Sequence, residues 1–274
     1  MNSMKRFLGI LLLFIPFFFS VPVTFSQEEF DYQKAYKDYI YTFELYKKAH
    51  SDYLLAKSQY NQAKTLASQT KARDVTAIML EKRDEVVITY FTTLRMLLSE
   101  SDGITDAEKQ GLFIRIDSEV AWFKNHKSQI PSAGTLADLS EDSLEAAEHF
   151  VLTKPLIYEV LLVIPVGKIE IFKTEASSIL DDIKNKTEKV RQKGDHNTTK
   201  IERWIIETQN KLTRSIDKEV AAQANIASIQ SGNVKDKDLD KAYNETISLL
   251  QESNQFLREA SQFMIEIVKE FKEA

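Results

Sequence analysis

The stretch DYIYTFELYKKAHSDYLLAKSQY, residues 38–60, carries tyrosine at 39, 46, 53 and 60, and Tyr32 stands one step earlier in the same register. Seven residues are close to two helical turns, so the five rings lie along one side of a helix. Three residues after each ring comes a small side chain: Ala35, Thr42, Ala49, Ala56 and Ala63. Large and small positions alternating at this spacing describe a seam. A neighbouring backbone approaches at the small residues, and the rings fill the spaces on either side. Tyrosine suits the edge of such a seam because its ring is buried while its hydroxyl stays wet. Tyr36 and Phe43 widen the apolar face at the start, and Lys57, Lys64 and Lys71 take that position in later heptads, so the stripe narrows along the chain. The stripe Tyr32, Tyr39, Tyr46, Tyr53 and Tyr60 is therefore the candidate packing and partner face. Its occupant is the protein's own later helices, a second copy, or a foreign partner such as a helix or stacked sugar rings.

Between Pro22 and Gly103 there is neither proline nor glycine, the two residues that most often punctuate helices. That silence predicts one or two very long helices; a single one from Glu29 to Leu98 would reach about 105 Å. Helical spacing continues through Leu80, Val87, Phe91, Leu94 and Leu98. Asp102 and Gly103 break the run, and Thr105 with Glu108 reads as a capping box opening a helix whose stripe is Leu112, Ile116, Val120 and Phe123. A loop at 129–135 contains Pro131 and Gly134, and Ser140 followed by Glu141 and Asp142 resembles another helix start. Ile169, Phe172, Ala176, Ile179 and Ile183 mark a further helix, and Ile201, Ile205, Leu212, Ile216 and Val220 the next. The last helix alternates steps of three and four through Ile247, Leu250, Asn254, Leu257, Ser261, Met264, Val268 and Phe271, a heptad seam with Asn254 as its polar member. The expected class is all-α: an elongated helical bundle or coiled coil of five to seven helices with a very long N-terminal helix. The expected division is a leader over 1–26, a long helix and helical hairpin over 27–132, and a C-terminal helical bundle over 133–274 packing on it.

Lys5 and Arg6 precede an apolar run from Phe7 to Phe19, and small residues at Thr24 and Ser26 follow, the three-part layout of a secretory signal peptide. Counting on to Phe25 lengthens the apolar stretch, so an uncleaved leader that anchors the chain is the alternative to cleavage near Ser26. Either way the expected location is exported: periplasmic, cell-surface or secreted. The chain has no cysteine, which removes disulfides, thiol chemistry and thiolate metal sites. The leader holds two of the 36 Lys and Arg and none of the 41 Asp and Glu, so its loss makes an acidic chain more acidic, with no general reason to bind nucleic acid. Asp31–Arg73 runs against that trend, with seven lysines and one arginine against four acids. It reads as a solvated helix face or as a basic arm attracted to an anionic surface.

One segment departs from helical patterning. LIYEVLLVIPV, residues 156–166, holds a single charge at Glu159 and leads into Gly167 and the alternating Ile169, Glu170, Ile171. Pro155 suits a first helical turn and Pro165 would end or kink the helix. Alternatively, Ile164–Gly167 matches a type I turn of a hairpin. The helical stripe that follows favours a kinked or broken core helix. An apolar segment amid long helices in an exported chain resembles, in architecture, the α-helical pore-forming toxins. That resemblance implies membrane action through Leu156, Val160, Leu161, Ile164, Ile169 and Ile171.

Signs of chemistry are sparse. The four histidines, His50, His126, His149 and His196, form no metal-ligand pair on one helix, and Glu145 with His149 reads as a surface pair. Asp236, Asp238 and Asp240 begin like a calcium loop, but Lys241 holds the glycine place and Ile247 the closing acid. No phosphate loop, serine elbow or histidine-centred triad is visible, and Asn185, Asn197 and Asn244 head N-x-S/T triplets. The expectation is a non-enzymatic protein with no cofactor or metal. It acts as scaffold, spacer or docking arm at the cell envelope, through a protein partner or self-association, with membrane or cell-wall contact as the alternatives. In the cell-wall reading the tyrosine stripe binds polysaccharide.

Overall fold

A computed structural model describes residues 30–194 and 197–273, and over these the chain is all-α. Six helices occur among the described residues: α1 Tyr32–Gln62, α2 Leu66–Ser99, α3 Asp106–Gln129, α4 Leu136–Lys193, α5 Thr199–Gln230 and α6 Asp236–Glu273. A short 3-10 turn, Ile130–Ser132, follows α3, and no strand is present among the described residues. The leader over 1–26 and His196 lie outside the described residues. The chain divides into two compact units. The first takes the described residues up to Glu100 together with Gly111–Lys154, and the second takes Ser101–Gln110 and everything from Pro155. The division falls inside α4 rather than at the Pro131–Gly134 loop, because α4 supplies residues to the interior of both units.

In the first unit the glycine- and proline-free run is not one helix but a hairpin of two, and the longest helix is α4, with 58 residues. Capping chemistry makes the turn without either breaker. Thr65 takes an extended conformation and its hydroxyl accepts the Ser68 N–H at 3.2 Å, while the Ser68 hydroxyl accepts the Thr65 N–H at 3.1 Å. Ser68 also donates to the carbonyl of Ala63, tying the end of α1 to the start of α2. At the other end Asp31 caps α1 by accepting the Lys34 N–H at 2.8 Å. The antiparallel pairing is fixed where α1 is small: Thr42 and Thr89 share a hydroxyl bond of 2.7 Å, and the Thr93 hydroxyl donates to the Ala35 carbonyl at 3.0 Å.

The predicted stripe Leu80, Val87, Phe91, Leu94 and Leu98 is fully buried, as are Ile116, Phe123 and Ile130. Each such side chain contributes about 1.5–3 kcal/mol relative to exposure. Thr105 and Glu108 form the expected capping box, with the Glu108 N–H on the Thr105 hydroxyl at 3.2 Å. The start of α4 differs from expectation. Thr135 and Asp138 form the cap, at 3.1 and 2.8 Å, and Ser140 lies one turn inside the helix.

In the second unit, the Pro155–Lys193 part of α4 meets α5 and α6. Buried residues on α5 fall at 201, 208, 212, 215, 219, 222, 226 and 229, and on α6 at 239, 246, 250, 253, 257, 260, 264 and 267. Leu250, Leu257 and Met264 lie in the seam as expected. The alternate position is one residue earlier than expected: Thr246, Ser253, Ala260 and Ile267 are buried in place of Ile247, Asn254, Ser261 and Val268. The polar members are Thr246 and Ser253; the Ser253 hydroxyl meets that of Ser215 at 2.9 Å, while Asn254 is half-buried. On α5 the same shift leaves Ile216 and Val220 exposed and buries Ser215 and Glu219. Small side chains occupy the seam because they let the helix backbones close together.

α4 runs through Pro165 without ending, and no turn forms at Ile164–Gly167. An internal proline costs about 3 kcal/mol, which burial of Ile157, Val160 and Leu162 as helical side chains more than offsets. Gly167, two residues on, touches Gly103 in the loop before α3.

Candidate functional site

The tyrosine stripe is used at home along half its length. Tyr39 and Tyr46 are buried in the hairpin, and the Tyr39 ring sits 5.6 Å from that of Tyr90 on α2. Tyr32, Tyr53 and Tyr60 are half-buried. Burial pushes the Tyr39 and Tyr46 hydroxyls above the ordinary tyrosine range, and burial, with Tyr36 and Glu100 nearby, pushes Tyr32 up to about 12. His50 lies between Tyr46 and Tyr53 at ring distances of 5.8 and 5.9 Å. Its Nε2 is buried without a hydrogen-bond partner, and burial lowers its pKa.

The six residues of the apolar α4 segment fare differently from one another. Leu156, Val160, Ile164 and Ile169 are buried, Leu161 is half-buried, and Ile171 is exposed. Among the described residues α4 alone is long and apolar enough to cross a membrane, and most of that apolar window is buried in the fold.

A charged cluster that spacing along the chain did not reveal lies in the first unit. Asp84, fully buried, meets His126 Nδ1 through Oδ2 at 2.5 Å and accepts from Arg83 Nε and Nη2 at 3.3 Å through Oδ1. His126 Nε2 faces the Asp142 carbonyl at 3.0 Å, and Arg83 Nη1 donates to the Ser143 carbonyl and hydroxyl at 3.1 Å. Both imidazole nitrogens thus face acceptors, and only the imidazolium satisfies two. Burial alone would lower the His126 pKa, but the hydrogen bond and charge of Asp84, assisted by the Asp142 carbonyl, outweigh it and raise the pKa. Trp122 stacks on His126 at 5.2 Å and on His149 at 3.7 Å, and His149 Nε2 meets Glu119 at 2.6 Å. The partner of His149 is therefore Glu119 on α3, not Glu145. With Asp84 and His126 sealed from solvent, the cluster ties α2, α3 and α4 together and leaves no room for a substrate. No group of acids and histidines fit to hold a metal occurs among the described residues.

Among the described residues an open groove runs along the distal half of the hairpin, about 490 Å³ in volume. Its floor is Ala49 and Ala56 from α1 and Val75 from α2; its walls are Leu45, Leu55 and Ile78. Two small residues of the heptad pattern, Ala49 and Ala56, form its floor, with larger side chains on either side. On α2 the groove residues Lys71, Val75, Ile78 and Lys82 lie about half a turn from the buried stripe of Leu80, Val87 and Leu94. Lys71, Ile78 and Lys82 thus lie away from that stripe, while the buried Val75 joins the groove floor to the core. Leu55 and Ile78, which line the same depression, are 60% and 52% exposed. Lys48 and Lys71 stand on the rim with no ion-pair partner among the described residues; Lys82 pairs with Glu85 at 2.9 Å, and Asp52 is the groove's acid.

Compared with protein-family models, with curated proteins and with solved structures, the chain gave no match.

Proposed function

We propose that the chain is an exported, non-enzymatic helical docking protein of the cell envelope, and that the α1–α2 hairpin is its docking arm. The observation that carries this reading is the groove: exposed leucine and isoleucine walls over an alanine floor, with Ile78 lying away from the buried stripe of α2. Such a surface loses free energy to water until something covers it. The export part of the reading draws support from Lys5, Arg6 and the apolar run behind them. Burial of Tyr39 and Tyr46 takes two of the stripe's five rings away from solvent, so the groove replaces the tyrosine stripe as the partner face.

The experiment is photo-crosslinking in the source cell, with the probe at Leu55 or at Tyr41, an exposed ring on the same α1. An adduct with another envelope protein is expected. Adducts confined to the chain itself, with fractionation placing it in the cytosol, would end the proposal. A membrane-acting protein is the second reading, and the apolar α4 window is what favours it. It requires Leu156, Val160 and Ile164 to leave the interior, so dye release from liposomes is the measurement that separates the two.

A further inference from the structure

We infer that the hairpin groove receives an acidic amphipathic helix from a partner protein; this names the occupant of the surface proposed above and rests on that reading. Three observations lead there. The first is shape. The groove runs from Leu45 to Gln59 along α1 and from Lys71 to Lys82 along α2, so its long axis follows two antiparallel helices. Its length along α1 is about 21 Å at helical rise, four turns of an occupant. A concave channel between two rods fits a third rod, and a flat bilayer surface would leave its alanine floor empty.

The second is chemistry along the channel. Leu45, Leu55, Val75 and Ile78 line the channel with apolar side chains, the kind of surface on which a partner helix buries its i, i+4, i+7 residues. A polyanion without apolar groups, such as a phosphate polymer, would cover none of them. The third is charge. From Lys47 to Lys82 the chain holds six lysines and one arginine against three acids, in a protein whose net charge is −5. Among the described residues Lys48, Lys64 and Lys71 have no ion-pair partner, and Lys48 and Lys71 stand on the groove rim, where glutamates flanking an occupant's apolar face would lie. The same charge disfavours a second copy's hairpin as occupant, because two surfaces of like sign would meet.

The test uses protein purified from cells expressing the full chain and labelled synthetic helical peptides of about 18 residues, long enough to exceed the groove. One carries leucines on one face flanked by glutamates; its counterpart carries lysines in place of the glutamates. Fluorescence anisotropy is expected to show the glutamate peptide binding about tenfold or more tightly than its counterpart, with affinity falling as salt rises. The pair Lys48→Glu and Lys71→Glu, both exposed and so harmless to folding, should weaken the glutamate peptide about tenfold and reverse the preference. Leu55→Ser with Ile78→Ser should remove binding of either peptide.

Equal affinity for both peptides overturns the proposal, as does a preference for anionic phosphatidylserine vesicles or self-association at the groove seen by sedimentation. So does no binding at all. An in-cell crosslink from Leu55 alongside failure of the glutamate peptide would leave the docking arm standing and reject the acidic helix. Absence of both would reject the two together.

Discussion

Asp84 and His126, 42 residues apart in sequence, meet at 2.5 Å in the interior of the first unit, with Arg83 on the other carboxylate oxygen. One carboxylate thus serves two cations while neither it nor the imidazole reaches solvent. Removing it leaves both cations buried without their counterion. Asp84→Ala should cost about 3–5 kcal/mol, the range for breaking a buried pair by deleting one partner. Urea denaturation reads this as a lower midpoint. A hydrophobic replacement of all three groups should recover much of the loss, since desolvation of three charges is then no longer required.

The same contact predicts a pH dependence. His126 has a raised pKa in the folded protein, so the folded state holds the proton more tightly than the unfolded chain does. Below the ordinary histidine value of 6.5 both states are protonated and the contribution is fully present; it is lost as pH rises through the elevated folded value. The melting temperature should therefore fall as pH climbs above 6.5, and His126→Gln should flatten that part of the curve. A wild-type profile that rises across this window would contradict the assignment of a charged imidazole.

Gly103 and Gly167 carry a different kind of constraint. A Cβ on Gly103 would lie 2.1 Å from the Gly167 carbonyl oxygen, and φ at Gly103 is +77°. A Cβ on Gly167 would lie 2.8 Å from the Asp102 carbonyl oxygen. Gly232 has φ +70° and open space around it, so it isolates the dihedral cost. Gly232→Ala should destabilise by about 1–2 kcal/mol. Gly103→Ala should lose that amount plus about 1–3 kcal/mol of overpacking, and Gly167→Ala the overpacking alone. Equal effects at Gly103 and Gly232 in thermal melts would deny the close approach.

How far the sequence discloses the fold follows from which physical signal each feature uses. Leu80, Val87, Phe91, Leu94 and Leu98 announce themselves because large apolar residues recur at helical spacing and all are buried. The turn between α1 and α2 is quieter: it relies on Thr65 and Ser68 bonding each other's backbone, a device without glycine or proline. The seam of α5 and α6 misleads, because its small and polar residues, Ser215, Ser253 and Ala260, carry less hydrophobic signal than their exposed neighbours Ile216 and Val220. At the groove, the basic excess is legible as a charge run, while the placing of Leu55 and Ile78 on one depression is not, since it depends on where α1 turns back. The Asp84–His126 pair likewise joins two helices whose register no local pattern specifies.

The displaced seam gives a sharp comparison at adjacent residues. Leu257 is fully buried and occupies the seam in either register, so Leu257→Asp places a charge without a partner in the interior and should cost about 4 kcal/mol or more. Positions 253 and 254 separate the registers. If Asn254 were the seam's polar residue, Asn254→Leu would fill the interior with apolar volume and raise stability. With Asn254 half-buried beside the seam, the change should stay within about 0.5 kcal/mol. Ser253→Leu, in contrast, forces four carbons against Ser215, removes the 2.9 Å hydroxyl contact, and should destabilise by about 1–3 kcal/mol through overpacking. Thermal unfolding of the two variants decides it. A stabilised Asn254→Leu alongside a neutral Ser253→Leu would return the seam to its large aliphatic residues and rotate α6 about its axis by roughly the 100° that separates neighbouring helical positions.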